Sequence, residues 1–264
     1  MIKFGVAGLG SIDEAVSNLE RYHKLGIGAC EISFTYRVYI KDNEAEVIRK
    51  AAEKFNIQLS IHAPYWINLN SKEREKVEKS KKRILDCCRI GELLGAYRVV
   101  FHPGFYGLTK KVLTDEDKEN VYQSILKEVL EIQKEIKKNK WKIQIAPETT
   151  GKINVFGSVD EIKRLVKDSG CSFCIDFAHL FARSLGEMGY GEMYESVKEF
   201  DELHCHFSGI EYGAKGERNH KITPDREIER LLRVLPKNKK IVIINESPDT
   251  VGDAVKSLKI YEGM

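Results

Sequence analysis

Six short apolar runs of this sequence are each followed at once by a histidine or a carboxylate. These six residues are His62, His102, Glu148, Asp176, His206 and Glu246. A strand end that only enters a turn usually carries Asn, Asp, Gly or Ser. Imidazole nitrogens and carboxylate oxygens are instead the donor set of zinc, manganese and iron(II). The pattern predicts a metal site wherever the fold brings these strand ends together, and six donors are enough for more than one ion.

A (β/α)8 barrel is the fold that would bring them together. The strand candidates are Ile2–Val6, Ala29–Ile32, Gln58–Ile61, Arg98–Phe101, Lys142–Ile145, Ser172–Ile175, Glu202–Cys205 and Lys240–Ile244. The helical patterns between them are Ile12–Leu25, Glu44–Phe55, Lys72–Leu94, Asp115–Lys137, Val159–Lys167, Glu192–Phe200, Asp225–Leu235 and Val251–Tyr261. Strict alternation predicts parallel strands joined by right-handed crossovers. We therefore predict one α/β domain, a single TIM barrel over residues 1–264, with its active site at the carboxyl ends of the strands.

Helix start signals support this division of the chain. Ser71 precedes the third helical pattern, Thr114 opens the fourth, Ser158 precedes the fifth, and Thr223 with Pro224 opens the seventh. Hydroxyl side chains at these positions accept hydrogen bonds from the first free backbone amides of a helix.

Composition excludes several classes of protein. The 43 Lys and Arg residues nearly balance the 40 Asp and Glu residues, so the net charge of +3 gives little long-range attraction to nucleic acid. No apolar run approaches the length of a membrane span, and the first residues enter a strand pattern without a signal peptide. The six cysteines do not form a disulfide framework, and we expect Cys171 and Cys174 to pack rather than to bind zinc. A cytoplasmic, reduced protein is predicted.

Two further histidines are candidates near the predicted site. His179 lies three residues after Asp176, and we place it in the loop that follows the sixth strand. His204 lies two residues before His206, so both side chains point to the same face of the seventh strand. We expect His204 to lie deeper in the barrel as a supporting or core residue.

The order and spacing of these motifs resemble the endonuclease IV family of apurinic/apyrimidinic endonucleases, within the wider xylose isomerase-like barrels. The matching segments run from the third strand to the eighth, so the resemblance covers most of the chain. They are Ser60-Ile61-His62-Ala63-Pro64-Tyr65, Phe101-His102-Pro103-Gly104, Pro147-Glu148-Thr149-Thr150-Gly151, Cys174-Ile175-Asp176-Phe177-Ala178-His179, His206-Phe207-Ser208 and Asn245-Glu246-Ser247-Pro248.

The resemblance implies a zinc cluster of two or three ions, with manganese or iron(II) as alternatives. His62 and His102 would hold the first ion, and Glu148 would bridge it to a second ion and be essential for catalysis. The second ion would also take Asp176, His206 and Glu246.

A third ion would take His179 and partners from the loop after His206. The family pattern in that loop is Asp-x-His. This chain instead offers Glu217 and His220, which are one residue further apart.

The activity implied by the resemblance is hydrolysis of a phosphodiester on the 5′ side of an abasic deoxyribose in duplex DNA. Such an enzyme acts on an extruded nucleotide. Residues expected to contact DNA are Tyr65, Arg37, Tyr106, Lys152 and Arg218, and Tyr36, Phe105, Arg183, Lys215 and Lys221 are further candidates in the loops of the mouth. We expect a monomer without membrane association.

Two other functions fit the same residues. A sugar isomerase, epimerase or dehydratase of the same superfamily would hold one divalent ion with Glu148, Asp176, His206 and Glu246. A relative that binds DNA or metal without catalysis is the second alternative. Metal stoichiometry and incision of an abasic duplex separate the three hypotheses.

Overall fold

The computed structural model describes residues 2–107 and 113–264. Its strands are β1 (Ile2–Ala7), β2 (Ala29–Ser33), β3 (Gln58–His62), β4 (Arg98–Phe101), β5 (Gly104–Phe105), β6 (Gln144–Pro147), β7 (Val155–Phe156), β8 (Ile175–Asp176), β9 (Glu202–Phe207), β10 (Gly209–Gly213), β11 (Gly216–Lys221) and β12 (Lys240–Asn245). Its α-helices are α1 (Ala15–Lys24), α2 (Asp42–Phe55), α3 (Arg74–Leu94), α4 (Asp115–Lys138), α5 (Val159–Ser169), α6 (Phe177–Arg183), α7 (Tyr190–Glu195), α8 (Asp225–Val234) and α9 (Thr250–Glu262).

Eight parallel strands form the predicted TIM barrel. They follow the order β6-β4-β3-β2-β1-β12-β9-β8. The barrel closes between β6 and β8, where Glu148 and Cys174 form a parallel bridge. Beside it the amide of Cys174 donates to the carbonyl of Pro147 at 3.1 Å, and the amide of Thr149 donates to the carbonyl of Cys174 at 3.1 Å. The barrel therefore closes at Glu148, which is one of the predicted site residues.

Side chains alternate strictly between the two faces of the barrel wall. On β1, Phe4 and Val6 face outward and join the large apolar core beneath the helices. Gly5 lies between them on the inner face, where a Cβ would meet Ala29 and Ile244. Ala29, Val242 and Ile244 form a small apolar cluster on this inner face, while the large apolar core lies outside the barrel, so most of the interior is free to hold polar groups.

The eight predicted barrel strands and eight predicted helices are confirmed in order, and the structure adds the short helix α6 and the strands β5, β7, β10 and β11 outside the barrel sheet, but some boundaries differ. The fifth strand begins two residues later than predicted, because the amides of Lys142 and Ile143 donate to the Glu92 side chain before the sheet starts. The sixth strand is reduced to Ile175–Asp176. The helix predicted over Glu192–Phe200 is wrong at both ends, since α7 covers Tyr190–Glu195.

Helix capping matches the sequence at two of the four predicted positions. The hydroxyls of Thr114 and Ser158 each accept a hydrogen bond from an amide in the first turn of their helix. Ser71 lies two residues before the N-cap Glu73 and accepts from its amide instead. Thr223 accepts from the amide of Gly209, so it joins the loop to the barrel rather than capping α8. Within the described ranges, no helix combines the length and apolar character needed to cross a membrane.

Replacing Gly5 with alanine should destabilise the barrel. The new Cβ would lie 2.8 Å from the Cβ of Ala29 and 2.9 Å from its carbonyl oxygen, so backbone must shift. We expect a loss of about 1–3 kcal/mol in the free energy of unfolding, measured by chemical denaturation. Gly191→Ala is the matched control, because its Cβ would have only a contact at 3.9 Å and it lies in a helix. That variant should be neutral or up to about 1 kcal/mol more stable. Equal losses in both variants would contradict the packing argument.

Candidate metal centre at the barrel mouth

The carboxylate of Glu148 is the hub of the predicted site, and it is fully buried. Its Oε2 lies 3.2 Å from Nε2 of His62 and 3.0 Å from Nε2 of His102. Its Oε1 lies 3.1 Å from Nδ1 of His179 and 3.3 Å from Nδ1 of His206. Each carboxylate oxygen thus faces a different pair of histidines.

Charge compensation keeps this carboxylate ionised. Burial by itself would raise the pKa of Glu148, but the neighbouring imidazoles of His102 and His206 hold that pKa well below its usual range. Burial would conversely lower the pKa of His62, and hydrogen bonding to Glu148 raises it to about 9. The pKa of His206 is raised well above its usual value against the effect of burial, since Cys174 and the carboxylates of Glu246, Glu31 and Glu148 surround it.

Several overlapping groups of side chains could hold a metal ion, and three of them correspond to the ion sites that the resemblance implies. Within a group, the candidate donor atoms lie within 4.8 Å of one another. These three groups are His62 with His102 and Glu148; Glu148 with Asp176, His206 and Glu246; and His179 with Glu217 and His220. Glu148 belongs to the first two, which fits the bridging role that the resemblance implies.

The third group depends on a β-bulge in the hairpin β10–β11. Ile210 pairs with His220 and Glu211 with Asn219, but the next residue, Tyr212, pairs with Glu217. Arg218 is therefore the extra residue of the bulge. Residues three apart on a regular strand point to opposite faces, whereas one extra residue returns them to the same face. The bulge accounts for the longer spacing between Glu217 and His220 and brings both toward His179.

Close backbone contacts fix this hairpin against the loop after β6. The amide of Glu217 donates to the carbonyl of Gly151 at 3.0 Å. A Cβ on Gly151 would lie 2.6 Å from Cβ of Glu217 and 3.0 Å from Cδ2 of His179. Gly151 therefore leaves the room that Glu217 needs beside the His179 ring.

His179 lies in a short helix, not in the loop that the sequence suggested. Asp176 ends β8 and is the N-cap of α6, and its Oδ1 accepts from the amide of His179 at 2.7 Å. The cap turns the chain into helix directly at the strand end, whereas β8 is short because its ladder begins only at Ile175. Its Oδ2 is buried and lies 3.2 Å from Nδ1 of His179, but it accepts no hydrogen bond within the described residues. One side chain therefore orients His179 and also presents an unsatisfied oxygen to the cluster.

Glu31 is a site residue that the sequence reasoning missed. It lies on the inner face of β2, is fully buried, and accepts from the hydroxyl of Ser60 at 2.8 Å. Its Oε2 lies 2.9 Å from Nε2 of His204, and its Oε1 lies 2.8 Å from Nε2 of His206. These histidines hold the pKa of Glu31 well below its usual range against the opposing effect of burial. The available signal was a lone charge inside the apolar run of the second strand.

His204 lies deeper in the barrel than His206 and contacts Glu31, as expected for a supporting residue. Burial lowers the pKa of His204 to about 4, so its ring is neutral. Because the carboxylate of Glu31 can only accept, Nε2 of His204 carries the proton and donates to it. Nδ1 is then an acceptor and receives the hydroxyl proton of Tyr97 at 2.5 Å.

Backbone carbonyls determine which ring nitrogens of His62 and His179 are free to bind an ion when the rings are neutral. Nδ1 of His62 lies 2.8 Å from the carbonyl of Ala63, and Nδ1 of His179 lies 3.0 Å from that of Thr149. Carbonyl oxygens only accept, so each Nδ1 carries the proton and Nε2 keeps its lone pair. The nearby carboxylate of Glu31 favours the opposite arrangement in His206, leaving Nδ1 toward Glu148.

A cavity of about 260 Å³ opens above the three groups. Its wall includes Tyr65, whose ring centroid lies 6.3 Å from that of His62 and whose side chain is 64% exposed. Tyr36 and Trp66, also at the mouth, are 71% and 64% exposed. Trp66 was not singled out from the sequence. Large exposed aromatic side chains around a polar cavity form a surface on which a sugar or base can stack.

The other residues predicted to contact DNA differ in exposure, since the cations are exposed and Tyr106 is buried. Arg37, Lys152 and Arg218 are exposed, as are Lys215 and Lys221. Tyr106 is 6% exposed, and its hydroxyl donates to Glu161 at 2.7 Å, so the prediction of a DNA contact does not fit its burial. Its neighbour Phe105 is 48% exposed.

Arg183 stabilises the loop after β6 at the rim of the mouth. Its guanidinium donates to the carbonyls of Lys152 at 2.6 Å and Val155 at 3.0 Å. These bonds leave it less available to a phosphate than the sequence suggested.

Comparisons with known proteins agree with this fold. A family described as xylose isomerase-like TIM barrel matches residues 19–261. An uncharacterised protein of Methanocaldococcus jannaschii is 33% identical over 277 residues, covering 99% of this chain and 97% of that protein. A protein named probable endonuclease 4 from Mycobacterium leprae is 25% identical over 181 residues, covering 67% of this chain and 66% of its own length.

Solved structures share the fold at low sequence identity. The structure titled SacUVDE has a TM-score of 0.75 at 15% identity and covers 100% of this chain and 99% of its own. Endonuclease IV from Thermus thermophilus has a TM-score of 0.71 at 19% identity, covering 99% and 97%. D-psicose 3-epimerase has a TM-score of 0.66 at 18% identity, covering 97% and 89%. At these identities the likeness concerns the fold alone.

Replacing Glu31 with glutamine should destabilise the metal-free protein. The variant leaves the buried His206 without one of its counter-charges, and we expect a loss of about 3 kcal/mol in the free energy of unfolding at pH 7 in chelator. Ser60→Ala is the control, because it removes one donor to Glu31 but keeps the carboxylate, and about 1 kcal/mol is expected. Similar losses in the two variants would mean that Glu31 is an ordinary hydrogen-bond acceptor.

Proposed function

Because the chain belongs to the xylose isomerase-like TIM-barrel family, we propose that it is a metal-dependent hydrolase that cuts DNA on the 5′ side of abasic sites. The observation that carries the proposal is the shared carboxylate of Glu148, whose two oxygens face two separate groups of donors. A third group at His179 distinguishes this site from one that needs a single ion. Relatives named as endonucleases support the same reading.

The donor set fits divalent cations. Asp176 Oδ2 is buried without a hydrogen bond, and such an oxygen is costly unless it meets a positive charge. The carboxylates of Glu148 and Asp176 lie with the histidines on one side of the barrel interior. Mixed imidazole and carboxylate donors favour zinc, and manganese or iron(II) also suits them.

In this proposal each group holds one ion. His62, His102 and Glu148 would hold the first, and Glu148, Asp176, His206 and Glu246 would hold the second. His179, Glu217 and His220 would hold the third. When bound, the ions supply positive charge that offsets the charge developing on the phosphoryl group and the departing oxygen, and they lower the pKa of water.

The protein's own groups orient and protect this chemistry. Glu31 holds the His206 ring with Nδ1 toward Glu148, and backbone carbonyls hold His62 and His179 with Nε2 toward their groups. Partners of this kind fix the direction of a ligand ring and raise its basicity. Glu148 is fully buried, so bulk water does not contact its carboxylate.

The rim supplies a surface for DNA. Tyr65, Tyr36 and Trp66 are exposed aromatic side chains that can stack against an opened base pair or the abasic gap. Arg37 and Lys152 are exposed cations that can meet phosphates. A cavity of about 260 Å³ suits one deoxyribose phosphate rather than a base-paired nucleotide, which is consistent with action on an extruded abasic residue.

We place this enzyme in the cytoplasm as a monomer. All six cysteines are buried and free, as expected for a protein that works in a reducing compartment. Its partner is duplex DNA that carries an abasic site.

A sugar epimerase is the second candidate. The mononuclear set of Glu148, Asp176, His206 and Glu246 is present as one group, and the epimerase structures share the fold. The small cavity also admits a monosaccharide. This alternative gives no role to the third group in the β10–β11 hairpin.

Glu148→Gln should reduce incision of an abasic duplex to the level of the uncatalysed reaction. The amide keeps the shape of the side chain but has one oxygen instead of two, so it cannot serve both groups. The assay uses a labelled duplex with one stable abasic analogue, in zinc-loaded protein and in chelator. Glu128→Gln is the control, because that carboxylate is also buried but pairs with Arg74 and Lys81 outside the site. Undiminished cutting by the Glu148 variant, or no metal-dependent cutting by the parent protein, would overturn the proposal.

Glu217→Gln should lower the zinc content from three ions per chain to two. Its carboxylate lies 3.5 Å from Nε2 of His179 and is the only carboxylate among the third-group residues. Zinc is measured by elemental analysis after dialysis. Glu211→Gln is the control on the same hairpin, where that residue is exposed and pairs with Asn219. One ion per chain in the parent and both variants, with binding of a ketose sugar, would favour the epimerase.

A further inference from the structure

A second cavity lies at the opposite end of the barrel, around the first residues of the strands. Its volume is about 450 Å³. Lys3 of β1, Gln58 of β3, Arg98 of β4, Glu202 of β9 and Lys240 of β12 contribute to its lining. Each of these residues occupies the first or second position of its strand, in the inner register. The metal donors occupy the other ends of the barrel strands, so the two sites are separate.

Arg98 is the unusual residue of this cavity. Its side chain is 4% exposed, and its Nε is buried without a hydrogen-bond partner. Across residues 2–107 and 113–264, its guanidinium forms no ion pair and donates no hydrogen bond to another side chain. The guanidinium lies 5.0 Å from the ring centroid of Tyr97 in a cation–π contact. A buried guanidinium without an ion-pair partner is costly, and its planar fork matches an oxyanion.

The surrounding groups supply only part of the negative charge. Glu202 is the one carboxylate among the described lining residues; its Oε1 lies 2.8 Å from Nζ of Lys240, and Lys240 and then Arg98 lower its pKa, so two cations share one carboxylate. Nζ of Lys3 donates to the amide oxygen of Gln58 at 3.1 Å, which leaves the lysine charge uncompensated. The lining therefore carries three cations and one anion, and its excess is two positive charges.

The apolar walls of the cavity strengthen the effect of its excess positive charge. Leu203, Ile241 and Val242 provide apolar surface on the same lining. Apolar walls lower the local dielectric and strengthen attraction between the guanidinium and an anion. A site of this kind favours a compact ligand with two or more acidic oxygens.

We propose that this end of the barrel is a binding site for a small oxyanion, held by the Arg98 guanidinium with Lys3 beside it. The ligand class is inorganic phosphate or a small molecule that ends in a phosphate or carboxylate group. It compensates the buried charge of Arg98 and joins the first residues of β1 and β4. The site does not depend on the proposed hydrolase activity, because none of its residues belongs to the metal groups.

Calorimetric titration with inorganic phosphate tests the proposal. The protein is treated with chelator, so that no bound metal attracts phosphate to the mouth. Arg98→Met should weaken binding about tenfold or more, because hydrogen bonds to a charged group each contribute about 1.5–3 kcal/mol. Glu202→Gln should strengthen binding, since it removes the one negative charge of the lining. Arg164→Met is the control, because that arginine is exposed and pairs with Glu119. It should leave phosphate binding unchanged.

Two further measurements, of thermal stability and of the position of a bound anion in crystals, complete the test. Arg98→Met should fold at least as well as the parent protein without phosphate, because the parent buries an unpaired charge, and only the parent should gain thermal stability when phosphate is added. Crystals grown with selenate should place an anomalous peak within hydrogen-bond distance of Arg98. Equal phosphate affinity in the parent and in Arg98→Met overturns the proposal, as does selenate found only at the mouth.

Discussion

The carboxylate of Glu148 is the interaction on which the rest of the mouth depends. It has no exposed surface, yet the imidazoles of His102 and His206 hold its pKa well below the usual range, so a full negative charge is kept inside the barrel. Such a charge is tolerated only when positive groups surround it in good geometry. Four histidine nitrogens within 3.3 Å meet that need in the absence of metal. The same arrangement places each oxygen where a cation can replace a proton.

The alternation of the strands makes this polar interior possible. Outward residues such as Phe4 and Val6 form the apolar core against the helices, which provides most of the buried apolar area. The inner face is therefore free to hold a connected set of polar groups from Tyr97 through His204 and Glu31 to His206. Buried polar groups stabilise a fold only when they are mutually satisfied. Among the described residues, Oε1 of Glu31 and Nε2 of His206 meet as an ion pair without a hydrogen bond, while atoms of Asp176 and Arg98 lie unpaired where an ion or ligand can satisfy them.

The sequence predicted the strand-end residues well because parallel strands bring their carboxyl ends to one rim. His62, Asp176 and His206 could be recognised without contacts, since an apolar run ending in a donor residue is a local pattern. Glu31 could not be recognised in that way, because its partners His204 and His206 lie more than 170 residues later in the chain. The start of α6 was also missed, since the cap at Asp176 acts through its own side chain and turns the chain into helix immediately after the strand.

In the hairpin β10–β11, the number of residues between two side chains does not by itself show whether they share a face. The separation of Glu217 from His220 is one residue longer than the family pattern, and on a regular strand it would point the two side chains in opposite directions. The extra residue Arg218 forms a bulge, so an insertion in sequence is cancelled by one unpaired position in the ladder. What the chemistry requires is a common face, and the register of the hairpin, not the number of residues, determines it. Gly151 completes the arrangement, because only a residue without a Cβ lets Glu217 approach His179.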